Sequence, residues 1–174
     1  MDFFSTIEQR YSHKENYLPD PVPLRDLEVI AQAGIAAPNG ANAQTVRLVI
    51  LPDRTALQPL CDASPTNGLQ TAPAAIAVLT DSKIQQNPLN FNKEDYAAAC
   101  TQMLLAATAL GYASVWLDSP YFDEANEKAA RAALNASDNY RLWAVLPIGK
   151  PDGPGSRRDK LPFEARVSYG KMDK

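Results

Sequence analysis

The sequence predicts one layered domain of the α/β or α+β class. The chain has 174 residues, a length typical of a single domain, and 45% of them are hydrophobic, which is enough to build a core. Helical patterns alternate with or flank four to five strand patterns, as expected for layers of helices packed on a sheet. Alanine, with 27 copies, is abundant and favours closely packed elements. We expect residues 1–174 to form a single domain.

Five segments have the spacing of helices. They are residues 2–10, 24–37, 54–61, 94–110 and 123–134. Pro23 suits a helical first turn, and Pro38 ends the second helix. The fourth helix is apolar nearly all round, which predicts a central buried helix, and its alanines would let another helix approach closely. That second helix could belong to the same chain or to a second copy.

Four segments are predicted as strands. They are residues 46–51, 74–80, 114–117 and 142–148. The second is almost entirely apolar and should be buried on both faces of the sheet. Residues 84–92 contain three Asn and two Gln and are predicted to form an exposed loop or a lid.

Composition and charge exclude several classes of protein. With 17 basic and 20 acidic residues the net charge is −3, which is unfavourable for general nucleic-acid binding. Two cysteines without a CxxC motif and a single histidine, His13, argue against a disulfide framework, a zinc site and any metal site built from several histidines. No apolar run reaches the length of a membrane span, and the first residues do not resemble a signal peptide. We therefore expect a cytoplasmic protein.

The common catalytic motifs are missing from the sequence. It contains no GxGxxG, no GxxxxGK[ST] and no GxSxG pattern. The acidic pairs Glu94-Asp95 and Asp123-Glu124 lie at predicted helix starts, where capping explains them without catalysis. The remaining candidates are binding segments.

The first binding segment lies near the N-terminus. Arg10, Ser12 and Lys14 alternate, so in an extended chain they point to the same side. Two cations and a hydroxyl suit a phosphate with an attached polyol, but a solvated surface strand has the same pattern.

Two further segments complete the set. In the loop of residues 38–44, the amides of Asn39, Asn42 and Gln44 could recognise the edge of a flat heterocycle, or could belong to an ordinary polar turn. The basic stretch with Arg158 and Lys160 could bind a phosphate, or could be a solvated tail.

Together and in this order, the segments resemble the nitroreductase family of flavin enzymes. Residues 10–14 (R-Y-S-H-K) are similar to the family's R-x-S-x-[RK] segment, and residues 37–44 (A-P-N-G-A-N-A-Q) to its A-P-S-x-x-N-x-Q loop. Residues 105–117 resemble its central helix and following strand. Residues 148–162 resemble its closing strand and basic C-terminal motif.

The resemblance implies an α+β fold of the three-layer α/β/α type, with a central, mostly antiparallel sheet of four to five strands flanked by helices. It also implies a homodimer with FMN at the subunit interface and no metal. The residues expected to bind FMN are Arg10, Tyr11, Ser12, Lys14, Pro38, Asn39, Gly40, Asn42, Gln44, Leu117, Asp118, Arg158 and Lys160.

These residues have different expected roles. The basic N- and C-terminal residues would bind the phosphate, the ribityl chain and the pyrimidine edge. The loop Pro38–Asn42 would contact the ring from the other subunit, supported by Gln44, and backbone near Leu117 and Asp118 would lie against the flavin. Lys14 would be the catalytic cation, because a positive charge near N1 and O2 favours the anionic reduced flavin.

The activity implied by the resemblance is ping-pong hydride transfer from NADH or NADPH, through FMN, to a small electron acceptor such as a nitroaromatic or a quinone. The chain departs from the family where Asn39 replaces serine, where Thr45-Val46 replaces Pro-Trp, and where Thr101-Gln102 replaces Gln-Asn. These departures bear on the choice of substrate and electron donor. Two alternatives are a flavin-binding or redox-sensing module without efficient turnover and a domain that binds a different anion.

Overall fold

A four-stranded antiparallel sheet forms the centre of the protein in the computed structural model, which describes residues 1–84 and 90–172. The strands are β1 (Val46–Leu51), β2 (Ala74–Asp81), β3 (Ala113–Ser114) and β4 (Tyr140–Gly149), in the order β1-β2-β4-β3. Helices cover both faces of the sheet. The predicted α+β class with an antiparallel central sheet is confirmed.

In the described part of the chain, six α-helices surround the sheet. They are α1 (Phe3–Gln9), α2 (Leu24–Ile35), α3 (Arg54–Ala63), α4 (Asn67–Gln70), α5 (Asn92–Ala109) and α6 (Glu124–Ala133). The sequence predicted all of them except the four-residue α4. Asp2, Asp53 and Asp123 are N-caps, and each carboxylate accepts a hydrogen bond from a backbone amide in its helix's first turn. The capping role predicted for Asp123 is therefore confirmed.

The core is divided into two halves by β2, every residue of which is buried. On one face, Ile76 and Val78 pack with residues of α2 and α5. On the other, Ala77 and Leu79 pack with residues of α3 and α6. Burial of β2 on both faces, predicted from its apolar sequence, follows from this arrangement in three layers.

Helices α2 and α5 approach each other closely at a glycine. A Cβ on Gly34 would lie 2.8 Å from Cγ of Met103, so a larger residue at position 34 would force the Met103 side chain or one of the helices to shift. One side of α5, including Ala99 and Ala107, is buried in this contact and against the sheet, whereas Thr101 and Ala109 on the other side are exposed. The prediction of a helix buried all round is therefore wrong for a single chain, because the described residues cover only one face of α5.

Strand β3 is shorter than the segment 114–117 predicted from the sequence. The ladder with β4 is interrupted after Ser114, and Leu117 then forms an isolated bridge with Val145 in the same register. Between them, Trp116 packs edge-on against Tyr96 of α5, with ring centroids 5.7 Å apart. Most of the lid predicted for residues 84–92 lies outside the described residues, and α5 begins at Asn92, two residues earlier than predicted.

Candidate functional site

The segment after α1 runs in an extended conformation beside β3. Ser12 forms a parallel bridge with Ser114, and the amide of His13 donates a hydrogen bond to the Ser114 carbonyl at 3.0 Å. His13 is fully buried, whereas Ser12 and Lys14 are exposed. Ser12 and Lys14 therefore lie on the outer side of the segment, while His13 points into the protein.

The single histidine anchors this segment. The His13 ring lies 4.6 Å from the ring of Tyr17 in an edge-to-face arrangement, and its Nε2 is 2.9 Å from the carbonyl oxygen of Asn16. Nδ1 lies 3.6 Å from the carboxylate of the exposed Glu15. The Nε2 contact satisfies one of the two ring nitrogens, whereas Nδ1 has no hydrogen-bond partner among the described residues.

The C-terminal tail returns to this N-terminal segment. The guanidinium of Arg157 donates hydrogen bonds to the carbonyl oxygens of Glu8 and Gln9, at the C-terminal end of α1. A cation there is favoured by the partial negative charge of the helix end. Just before it, Gly155 passes against the ring of Tyr11. The two ends of the chain are therefore in direct contact.

Where the two ends meet they form a cleft of about 460 Å³, here called the basic cleft. It is lined by Ile7, Glu8, Arg10, Tyr11, Ser12, Ser156, Arg157, Arg158 and Lys160. Four cations face one carboxylate, so the cleft carries a net positive charge. Guanidinium groups bind phosphate oxygens in pairs, and the Ser12 hydroxyl adds a neutral hydrogen-bonding group. Lys14 does not line the basic cleft.

The loop of residues 38–44 is held by hydrogen bonds from both sides. Within the loop, the amide of Gln44 donates to Oδ1 of Asn39 at 2.9 Å. From α5, the carboxylate of Asp95 accepts hydrogen bonds from the Gly40 amide at 2.7 Å and from the Thr45 hydroxyl at 2.8 Å. The loop is thus tied to the start of the central helix.

This loop lines a second cleft of about 350 Å³, here called the loop cleft. Its lining residues are Gly34, Ile35, Ala37, Pro38, Asn39, Gln44, Val46, Arg47, Leu48, Asp95 and Ala99. It shares no residue with the basic cleft. Within one chain, the predicted binding residues therefore line two separate clefts. The basic cleft is lined by Arg10, Arg158 and Lys160. The loop cleft is lined by Pro38, Asn39 and Gln44.

The backbone of Leu117 is already used by the sheet. Its amide donates to the Val145 carbonyl at 3.1 Å, and its carbonyl accepts from the Val145 amide at 2.9 Å. The next residue, Asp118, lies near an aromatic cluster in which Tyr96 stacks on Trp143 with centroids 5.0 Å apart. Burial, and to a smaller extent the charge of Asp118, raises the pKa of Tyr96. The expected position of the Leu117 and Asp118 backbone against the flavin stays a prediction.

Comparison with known proteins places the chain in a family. The sequence model of the nitroreductase family matches residues 7–87 and 65–150, which together cover most of the chain. A relative from Archaeoglobus fulgidus, provisionally named an NADH dehydrogenase/NAD(P)H nitroreductase, is 36% identical over 128 residues and 72% of each chain.

The chain belongs to the nitroreductase family.

Solved structures of nitroreductase-like proteins share its fold. A protein from Clostridium acetobutylicum, provisionally named an NADH oxidase, is 28% identical with a TM-score of 0.84, over 96% of this chain and 99% of that one. A provisionally named nitroreductase from Desulfovibrio desulfuricans, solved in complex with FMN, is 25% identical with a TM-score of 0.80, over 98% and 97% of the two chains.

The described residues of this nitroreductase were also searched for metal-binding groups and membrane-spanning helices. Within residues 1–84 and 90–172, no group of three or more His, Cys, Asp or Glu side chains is arranged to bind a metal ion. In the same part of the chain, no helix is both long enough and apolar enough to cross a membrane.

The sequence did not reveal the contacts of Asp95 with the 38–44 loop. The position of Asp95 in an acidic pair predicted a helix-capping role, which is wrong, because the helix begins three residues earlier and its carboxylate bonds to the 38–44 loop. One signal was available: an acidic residue at the edge of an otherwise apolar helical face suggests burial with partners. Arg157 belongs to the basic stretch predicted to bind a phosphate, but its bonds to the end of α1 were not predicted.

Proposed function

We propose that this protein binds FMN and acts as an NAD(P)H-dependent oxidoreductase on nitroaromatic, quinone or similar electron-poor substrates by a ping-pong mechanism. Bound FMN would supply the redox chemistry, accepting reducing equivalents from NADH or NADPH and delivering them to the acceptor. The observation that carries the proposal is the basic cleft, where residues about 150 positions apart meet, in a chain of the nitroreductase family.

The basic cleft fits the phosphate end of FMN. Arg158 and Lys160 come from the tail, and Arg10 from the end of α1, so three exposed or half-exposed cations surround one space. Their hydrogen-bonding groups can bind a phosphate dianion through charge-assisted hydrogen bonds. Ser12 and the ring of Tyr11 would face the ribityl chain, which carries hydroxyl groups.

The loop residues fit the ring. Asn39 is half-exposed and Asn42 exposed, so both could present amide groups to the polar edge of a flavin, while Pro38 and Gly40 shape the backbone. Asn42 has a φ of 54°, which fixes the direction of the loop after Gly40. Gln44 would support the loop through its backbone, since its amide donates to Asn39.

Lys14 would act electrostatically. It is exposed and lies on the same side of the extended segment as Ser12. A lysine ammonium close to the N1 and O2 edge would stabilise the negative charge of the reduced flavin and raise its reduction potential. Asp118 would lie near the ring and contribute to its environment, with Leu117 beside it.

We further propose that the site is completed by a second copy of the chain. The phosphate and ring residues line separate clefts in one chain, as expected if each site takes one set of residues from each copy. Residues 152–172 of the tail are all exposed, including Phe163 at 58% and Tyr169 at 86%. Such large apolar side chains, together with the uncovered face of α5, are typical of a surface buried in an oligomer.

The proposed function is tested by recording an absorbance spectrum of the protein and then titrating it with NADH or NADPH. Purified protein, supplied with FMN and freed of excess, should show a flavin absorbance band that bleaches on anaerobic addition of NADH or NADPH and returns on addition of a quinone. Protein that takes up no FMN contradicts the main proposal and favours a domain binding a different anion. Protein that binds FMN without bleaching indicates a redox-sensing module.

The shared site is tested by mixing two damaged chains. One chain carries R158A and K160A, and the other carries N39A and N42A. Each alone should bind FMN weakly. After unfolding and refolding together, a mixed dimer would contain one intact site, so about one quarter of the wild-type sites should return if the chains associate at random. No recovery in a mixture shown by sedimentation to contain dimers would contradict a site shared between copies.

A further inference from the structure

We infer that Asp95 is a positioning residue, which sets the shape of the 38–44 loop for flavin binding without touching the flavin itself. This inference rests on the proposed function, since it assigns Asp95 a role in the FMN site. Asp95 lies in the first turn of α5, and its side chain is turned towards the loop.

The geometry ties two points of the loop to one carboxylate. Oδ1 of Asp95 accepts from the Gly40 amide at 2.7 Å, and Oδ2 accepts from the Thr45 hydroxyl at 2.8 Å. Gly40 and Thr45 bracket the residues expected to contact the ring. One buried side chain thus fixes the distance between the two ends of the turn.

Burial makes this attachment strong. Asp95 is only 2% exposed, and Thr45 is 1% exposed. A buried carboxylate is costly unless it accepts hydrogen bonds, and bonds to an ionised acceptor are stronger than neutral ones. If the loop opened, Asp95 would lose both of these donors at once. The charge of Asp95 therefore favours the closed loop.

The loop needs such support because its backbone is strained. Ala41, Asn42 and Gln44 have φ values of 48°, 54° and 54°, in the left-handed region that residues other than glycine adopt reluctantly. Strained backbone of this kind persists where surrounding contacts over-determine it, and it is concentrated at binding sites. Asp95 provides two of these contacts.

The start of α5 and the loop behave as one packed unit. The amide of Asp95 donates to the Phe91 carbonyl at 2.8 Å. The Phe91 ring lies so close to Gly40 that a Cβ on residue 40 would collide with it. Movement of the loop would therefore disturb the first turn of α5.

The main test compares D95A with D95N by FMN titration. D95A removes both acceptors, so the FMN dissociation constant should rise by about tenfold or more, as expected for the loss of hydrogen bonds to a charged group. D95N can still accept from the Gly40 amide, and its NH₂ can donate to the Thr45 hydroxyl after that hydroxyl rotates. D95N should therefore restore most of the affinity and the wild-type shape of the flavin absorbance band.

A matched control separates positioning from general stability. Asp26 on α2 also accepts a hydrogen bond, from the Tyr112 hydroxyl at 2.6 Å, but lines neither cleft. D26A should lower the urea midpoint of the apoprotein while leaving FMN affinity and the flavin band unchanged. Equal losses of FMN affinity in D26A and D95A would overturn the inference.

The Thr45 partner provides a second route if D95A does not fold. T45V removes one of the two bonds and T45S keeps the hydroxyl. T45V should weaken FMN binding several-fold and alter the flavin band, and T45S should behave as wild type. Wild-type protein that binds no FMN refutes the proposed function. If wild-type protein binds FMN and T45V keeps the wild-type FMN affinity and band shape, the role of Asp95 is refuted.

Discussion

Gly155 passes so close to Tyr11 that a Cβ on residue 155 would lie 1.9 Å from Cε2 of the tyrosine ring. The tail before it runs from β4, and the basic residues Arg157, Arg158 and Lys160 follow. Contact between Gly155 and Tyr11 therefore sets where these cations lie relative to Arg10. The absence of a side chain at position 155 is a packing requirement of the basic cleft.

The first prediction concerns this contact. G155A should displace the tail from Tyr11 and weaken FMN binding several-fold, measured by quenching of FMN fluorescence. The melting temperature should change little, because the tail is exposed. In a Y11A background the added methyl group has room, so G155A should cause no further loss. The same loss in both backgrounds would show that the two residues act independently.

The second prediction concerns Lys14. At saturating FMN, K14A should slow NADH- or NADPH-dependent bleaching by about tenfold, since about 1.4 kcal/mol of lost electrostatic stabilisation corresponds to that factor. FMN occupancy should change much less, because Lys14 does not line the basic cleft. Stopped-flow absorbance measures the rate, and K14R should retain most of it. An unchanged rate in fully occupied K14A would refute the electronic role.

The third prediction concerns a buried carboxylate that lines neither cleft. Glu127 of α6 is 4% exposed, accepts a hydrogen bond from the Leu142 amide at 2.9 Å and lies 3.4 Å from Nε of Arg131. E127A leaves that amide and the guanidinium without this partner, so the free energy of unfolding should fall by about 3 kcal/mol in urea titrations.

E127Q is the control for this prediction. It keeps an acceptor for the Leu142 amide and should cost about 1 kcal/mol, since only the ionic contribution is lost. FMN affinity should not change in E127Q, because Glu127 lines neither the basic nor the loop cleft. A loss in E127Q as large as in E127A would mean that charge, and not the hydrogen bond, dominates.

The fourth prediction concerns pH. Burial, together with the hydrogen bond to Asp26 and its charge, raises the pKa of Tyr112 to about 12 from an ordinary value of 10.0. The raised pKa means that the fold favours the neutral phenol. The resulting stabilisation is complete below pH 10 and is lost as the pH rises towards 12. Y112F should therefore be less stable than wild type at pH 7 by about 1 kcal/mol, and the difference should shrink above pH 10.

Tyrosinate absorbance tests the cause of this shift. In wild type, two tyrosines, Tyr112 and Tyr121, should titrate near pH 12, and one of these two steps should be missing in Y112F. D26N removes the acceptor charge, so the pKa of Tyr112 should move towards its ordinary value. A titration curve unchanged by D26N would show that burial alone raises the pKa.

Periodicity and local motifs predicted most of the elements. β2 was recognisable because a strand covered on both faces has almost no polar residues, and α6 because Asp123 begins it. β3 was not delimited correctly, because its length depends on Trp116 packing against Tyr96, a contact across 20 residues. The one-sided burial of α5 also depends on what packs against it, which composition does not specify.

The types of residue in the candidate site were predictable, but the contacts that hold them in place were not. Alternation placed Ser12 and Lys14 on one side because extended backbone has a period of two. The attachment of Asp95 to Gly40 spans 55 positions and depends on how α5 meets the loop. Likewise, Arg157 bonds to carbonyls at the end of α1, which no local pattern in the tail indicates.

The proposed phosphate site is tested most directly by titrating the wild-type protein, R158A/K160A and the control R25A with FMN and with riboflavin, which lacks the phosphate. Arg25 is an exposed cation on α2 that lines neither cleft. Wild type and R25A should bind FMN more tightly than riboflavin. R158A/K160A should lose about a hundredfold in FMN affinity, as expected for two charge-assisted hydrogen bonds, with riboflavin affinity unchanged. Two results would contradict a phosphate site formed by the two ends of the chain. One is that wild type binds FMN and riboflavin equally tightly, and the other is that R158A/K160A binds FMN as tightly as R25A.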